Sequence, residues 1–150
     1  MKYTNEIIIN LPVKKVIAYF DNPDNMKHWQ KGLISFEHQS GEPGQPGARS
    51  LLKYKSGKKE VEMVETIKVR NLPEEFSGSY TMKGVVNNIH NSFESIDDRT
   101  TKWVSSSEFH FDGIFMKIIS FLLPGSFKKQ SCKFMVAFKE FAEQSEQNEL

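Results

Sequence analysis

The sequence predicts an α+β fold: one strand, two short helices, a six-strand antiparallel meander and a long C-terminal amphipathic helix. Three observations predict it. Residues 3–11 alternate at the period of a half-buried strand. Between Leu33 and Phe111, turn signals recur at intervals of about 8 to 12 residues, the spacing of an antiparallel sheet with short loops. From Phe127 onward, Ser131, Phe134, Met135, Phe138, Phe141 and Ala142 follow at the spacing of one helix face, with Lys128, Lys129, Lys133, Lys139, Glu140 and Glu143 on the others.

The elements follow in order. Tyr3, Asn5, Ile7, Ile9 and Leu11 form one row of the first strand. Pro12 suits the first turn of a helix, and Val13, Val16, Ile17 and Phe20 recur at helical spacing until Asn22-Pro23 stops it. Asp24 to Gln30 can form one or two further turns with Met26 and Trp29 on one side, ended by Gly32. These two residues are read as closing one end of the core. The meander is punctuated by Gly41 to Gly47, Ser56-Gly57, Asn71-Leu72-Pro73, Lys83-Gly84 and Asp97-Asp98-Arg99. Asp112-Gly113 breaks the last strand, Ile114 to Leu123 reads as a short apolar helix, and Ser126 is placed to cap the long one. Beyond Glu143 the tail, residues 144–150, is polar and is expected to fray.

Two turns predict a register. A two-residue loop at Ser56-Gly57 pairs Tyr54 with Lys59, Lys53 with Glu60 and Leu52 with Val61. The apolar face is then Leu52, Val61, Met63, Ile67 and Val69, with Glu65 on the same face between Met63 and Ile67. A two-residue loop at Lys83-Gly84 sets Met82 opposite Val85, Tyr80 opposite Asn87, Gly78 opposite Ile89 and Phe76 opposite Asn91. The inward row of that strand carries Ile89 and Phe93, interrupted by Asn87 and Asn91. In the last strand the odd row, Trp103, Ser105, Ser107, Phe109 and Phe111, is the more apolar and is read as inward, which requires an odd-length loop around Asp98.

Composition narrows the function. The 150 residues, 38% hydrophobic and 26% charged, fit one globular domain spanning 1–150 and exclude disordered and low-complexity classes. Twenty basic against nineteen acidic side chains leave a net charge of +1, which gives no electrostatic case for nucleic acid as a partner. No run is long and apolar enough for stable membrane insertion, and the start lacks the pattern of a signal peptide, so the cytoplasm is the expected location. Cys132 has no partner for an intramolecular disulfide and no His or acid at nucleophile spacing. His28, His38, His90 and His110 show no metal-ligand spacing, and the last two fall on the outer face in this register, so no metal and no cofactor is expected. Lys53, Lys55, Lys58 and Lys59 read as a solvated hairpin tip.

Local motifs add a resemblance. The strand ending Ile9-Asn10-Leu11-Pro12, then Val16, Phe20, Asp21, Asn22-Pro23, Met26 and Trp29, is similar to the opening of polyketide cyclase/dehydrase-type proteins. Gly47-Ala48-Arg49 after a Gly/Pro-rich loop, and the stretch from Leu123-Pro124-Gly125 to Phe141-Ala142-Glu143, resemble theirs as well. Over nearly its whole length the chain thus resembles the SRPBCC superfamily, also called START-like, Bet v 1-like or helix-grip. The resemblance implies a curved seven-stranded antiparallel sheet wrapped around the long C-terminal helix, with two short helices between strands 1 and 2. It also implies an elongated apolar cavity between sheet and helix, in which lipids, steroids, polyketides or plant hormones bind. It implies no particular reaction, because members share no catalytic signature that could be carried over to this chain.

Against that background Glu65 is the sharpest candidate, as a carboxylate on an apolar inner face can serve as a general acid or base. The alternative is that a bulge or the cavity mouth places it in water. The candidate cavity-lining set is Met63, Glu65, Tyr80, Asn87, Ile89, Asn91, Phe93, Ser105, Ser107, Ser131 and Met135. The polar members either orient a ligand or bond to one another and to buried water. Three functions follow: a carrier or sensor of a hydrophobic small molecule such as a lipid, quinone or polyketide; a cyclase or dehydratase with Glu65 as proton shuttle and Tyr80 or Asn91 polarising a carbonyl; or a protein-interaction module whose cavity has collapsed.

Overall fold

The computed structural model describes residues 1–114, 117 and 124–149. Alternation builds β1 (Lys2–Ile9), in which Tyr3, Asn5, Ile7 and Ile9 are the less exposed row and Lys2, Thr4, Glu6 and Ile8 the exposed one. The amphipathic stretch folds as α1 (Val13–Phe20), with Val16 buried. Asn22 then accepts the Asp24 backbone N–H at 3.0 Å, starting a 3₁₀ turn (Pro23–Asn25) that runs into α2 (Met26–Trp29). Gly32, at φ 94°, turns the chain into the meander.

Six strands follow: β2 (Leu33–Ser40), β3 (Arg49–Ser56), β4 (Lys59–Asn71), β5 (Glu75–Met82), β6 (Val85–Asp97) and β7 (Thr100–Phe111). Short loops make each an antiparallel neighbour of the last, and β7 returns to pair with β1, giving the order β1-β7-β6-β5-β4-β3-β2.

The register differs from expectation at three places, each for a local reason. The β3–β4 loop is Gly57-Lys58, with Ser56 opposite Lys59, because Gly57 at φ 63° takes the first loop position where a tight hairpin needs positive φ. Leu52 therefore faces Met63 and not Val61; the two-residue shift leaves every side chain on its expected face. Further along β4 the pairing with β5 slips between Ile67 and Val69. That irregularity turns Val69 outward, at 37% exposure, and swings Arg70 to the inner face. The β6–β7 loop is the two residues Asp98-Arg99, and a second slip at Ile96 supplies the odd count that keeps Trp103, Ser105 and Ser107 inward. The Lys83-Gly84 hairpin has the expected pairs, with Tyr80 opposite Asn87 and Phe76 opposite Asn91.

Against the inner face lies α3 (Pro124–Glu149), burying Met135, Phe138 and Ala142. Helix already precedes Ser126, so that residue lies within α3 and does not cap it. The helix also continues past Glu143, because Glu146 accepts from the Tyr19 hydroxyl at 3.0 Å and lies 3.5 Å from the Lys15 ammonium, tying the polar end to α1. The apolar helix expected from Ile114 to Leu123 lies outside the described residues, apart from Ile114 and Lys117.

The space between sheet and α3 is filled by rings. Trp103 stands 5.5 Å from Phe93, 5.6 Å from Phe20 and 5.3 Å from Phe138, and Trp29 closes the cluster 5.3 Å from Phe138. One polar group is built into it: Asn91 accepts the Trp103 indole N–H at 2.9 Å and donates to the Phe76 carbonyl at 3.3 Å. Replacing Asn91 by Ala strands that indole donor in the core, so Asn91→Ala is expected to lower unfolding free energy by about 1 to 3 kcal/mol. Urea denaturation followed by tryptophan fluorescence checks this; an unchanged midpoint would show that the bond carries no stability.

Candidate functional site

Beside this ring cluster, a cleft of about 320 Å³ opens between the inner face of β2–β5, the α1–α2 segment and the β2–β3 loop. Phe20, Met26 and Trp29 form its helical wall, Phe36, Ile67 and Phe76 its sheet-side apolar surface, and Pro43, Gly44 and Gln45 its rim. No described residue of α3 lines it. On its helix side the cleft is bounded by the ring cluster, where Trp103 lies against both Phe20 and Phe138.

The floor follows from strand register. Ser50, Glu65, Tyr80 and Asn87 are direct cross-strand neighbours on β3, β4, β5 and β6, so one polar row runs across the inner face. Glu65 is only 8% exposed, and its Oε2 accepts from the Tyr80 hydroxyl at 2.7 Å. Its Oε1 has no hydrogen-bond partner among the described residues and is not sealed off from the cleft. Burial pushes the Glu65 carboxyl above its ordinary range, and the Tyr80 hydrogen bond pulls the other way without cancelling it. Burial, reinforced by the Glu65 charge, pushes the Tyr80 and Tyr54 phenols well up. Both therefore remain donors, Tyr80 to Glu65 and Tyr54 to the Gln30 side-chain oxygen. Ser50, 5% exposed, sits directly opposite Glu65 and has no hydrogen-bond partner among the described residues.

At one side of the mouth the Arg70 guanidinium forks onto the Asp21 carboxylate, Nη1 to Oδ1 at 2.6 Å and Nη2 to Oδ2. The pair ties the end of α1 to β4. It also occupies the one arginine among the described lining residues, so Arg70 does not present a free positive charge to the cleft.

Of the residues singled out from sequence, the structure brings Glu65 and Tyr80 together on this floor, with Trp29 and Met26 both packed in the core and lining the cleft. Asn87 lies next along the row, with its Oδ1 buried and unpartnered among the described residues. Asn91, Phe93 and Met135 belong to the core, and Met63 packs at its edge. Ser131 shares a 2.6 Å hydrogen bond with the Tyr3 hydroxyl and so fastens α3 to β1. Ser105 is half-buried opposite Asn91. Ile89 and Ser107 border a groove of about 500 Å³ that crosses β1, β7, β6 and β5, where Lys2, Ser77, His90 and Glu108 also lie. Ser50, Asp21 and Arg70 were not singled out. Ser50 was legible, two residues from Leu52 on the inward row; Arg70 was not, since only the slip at Lys68 turns it inward. Among the described residues no cluster of His, Cys, Asp or Glu could hold a metal ion, and no helix is long and apolar enough to cross a membrane.

No family model matches this sequence, and no curated protein does. Solved structures match across almost the entire chain. The Zhui aromatase/cyclase from Streptomyces sp. R1128 superposes with a TM-score of 0.81 at 10% identity, covering 96% of this chain and 94% of its own. Ara h 8.0201 gives 0.76 at 14%, covering 96% and 98%. Norcoclaurine synthase from Thalictrum flavum, solved in complex with dopamine and hydroxybenzaldehyde, gives 0.70 at 15%, covering 96% and 87%. At such identities the likeness speaks for architecture alone, and on that ground the chain has the helix-grip, Bet v 1-like fold.

Proposed function

We propose that this protein binds a hydrophobic small molecule in the cleft between α1–α2 and the β2–β5 face. The observation that carries the reading is the lining itself: an apolar and aromatic surface around a few buried polar groups, the composition expected of a ligand site. A cleft of about 320 Å³ suits a compound of one to three fused rings better than a long acyl chain. A norcoclaurine synthase solved with dopamine and hydroxybenzaldehyde, and an aromatase/cyclase, both of the same fold, support the reading by analogy.

An uncharged apolar dye, N-phenylnaphthylamine, is expected to bind with one-to-one stoichiometry and enhanced fluorescence. Ser50→Phe, which fills the floor beside Glu65, should weaken it by about tenfold. Absence of dye binding, together with a clean apo mass in native mass spectrometry, would overturn the proposal.

A second reading, proton-transfer chemistry of the cyclase or dehydratase kind, is favoured by one observation: Glu65 is a buried carboxyl held above its ordinary range with one oxygen facing the cleft. Its raised pKa has a stability consequence with a definite sign. From the ordinary value of 4.5 upward, the folded state holds the proton that the unfolded state has lost, so stability falls as pH rises towards the folded pKa. Glu65→Gln carries no such charge. The variant is therefore expected to gain on the wild type in urea denaturation as pH is raised from about 4 to about 8. A difference that stays flat with pH would show an ordinary carboxyl and remove the basis for acid–base chemistry.

A further inference from the structure

The charge inventory of the cleft is unequal. Its lining holds one arginine, and that side chain is forked onto Asp21. The other acid, Glu65, has no cationic partner among the described residues: Tyr80 satisfies one oxygen, the second is unbonded among them, and so is the hydroxyl of Ser50 beside it. His38 at the β2 end is exposed and opposite Ser50. Around this acid stand the rings of Phe20, Trp29, Phe36, Phe76 and Tyr80.

We infer that the ligand of this cleft is an aryl compound carrying a protonated amine, whose ammonium sits on the free oxygen of Glu65 while its ring packs among the aromatic walls. The inference rests on the cleft being a ligand site and names the chemistry that it selects. Three features act together. The buried carboxylate lacks a counter-ion, and an ammonium supplies one while donating to an oxygen that otherwise goes unbonded. Ring faces carry negative quadrupole potential and attract the same cation. The Ser50 hydroxyl can accept a second N–H, so two acceptors converge where a primary ammonium has three donors. The same features work against an anion, because an apolar acid would set a second carboxylate beside Glu65 in a small, poorly hydrated space. In the empty cleft burial opposes the charge on Glu65; an ammonium next to it reverses that balance.

The test uses three probes of one shape in calorimetric titrations of the full chain at neutral pH: tryptamine, its uncharged isostere propylindole, and indolepropionate. Tryptamine is expected to bind about tenfold or more tighter than propylindole, and indolepropionate weaker than both. Glu65→Gln should abolish the gap between tryptamine and propylindole. Should Glu65→Gln fail to fold, the wild-type ranking decides alone. Propylindole binding as tightly as tryptamine overturns the inference but leaves the cleft as a hydrophobic site. Tighter binding of indolepropionate also overturns it, in favour of a cation not engaged by Asp21. If none of the three binds, the site itself is wrong and both readings fall.

Discussion

The ring cluster between the sheet and α3 is the constraint on which the site depends. In a fold of this kind, sheet and helix meet over a space that can be solvent, ligand or side chain. Here Phe20, Trp29, Phe93, Trp103 and Phe138 fill it with centroid separations of 4.9 to 6.2 Å. Five bulky side chains at that spacing form a dense packed unit, and dense interiors do not open cheaply. The open cleft lies on the flank, between the α1–α2 segment and the β2–β5 face, where no described residue of α3 lines it. Phe20 and Trp29 serve both surfaces, with one side in the core and the other on the cleft. Any change that loosens the core therefore reshapes the wall of the cleft, and core stability and cleft shape are not separable at these two positions.

Asn91 shows how a polar group is tolerated inside such a cluster. Its amide meets one donor, the Trp103 indole, and one acceptor, the Phe76 carbonyl, so both functional ends are used. Glu65 shows the opposite case. It is nearly as buried, yet only one of its oxygens is engaged, and Tyr80 is a neutral donor. The contrast separates a polar group whose two ends are both bonded from one with an oxygen left open. A unit positive charge about 4 Å away is worth about 4 kcal/mol at an effective dielectric constant of 20, whereas a neutral hydrogen bond contributes about 1 kcal/mol net. Tyr80 alone therefore does not cancel the cost of burying the charge, in agreement with the direction of the Glu65 shift.

Period and punctuation made the fold legible. The row of Ile7 and Ile9, the Lys83-Gly84 hairpin and the stripe from Phe127 to Ala142 all follow from side-chain periods that hold in any tertiary context. Glu65 was legible for the same reason: parity from Leu52 fixes its face whether the neighbouring hairpin turns at Ser56 or Gly57, since a two-residue slip preserves the pleat. One-residue irregularities were not legible. The slip after Ile67 exchanges Val69 for Arg70, and the one at Ile96 changes the parity of β7; neither carries a glycine or proline to announce it. Cavity position was illegible for a further reason. Residues on one strand face share a side, but whether that side meets a ring or a void depends on the sizes of side chains from four other elements. Asn91 and Glu65 lie on the same inner face, and only packing gives one a core partner and the other an open cleft.

The same distinction limits what the fold conveys about chemistry. Structures as different in activity as an aromatase/cyclase and norcoclaurine synthase superpose on this chain, so the architecture by itself carries no chemistry. Discrimination resides in which titratable groups line the space and which of them are already paired. In this chain the arginine is engaged by the acid from the end of α1, and the acid on β4 is left to face the interior. Had Asp21 been absent, Arg70 would present an unpaired cation at the mouth and the preference would shift towards an anion. The register slip that brings Arg70 inward and the helix end that supplies Asp21 thus shape the charge of the cleft as much as Glu65 does, although neither touches its floor.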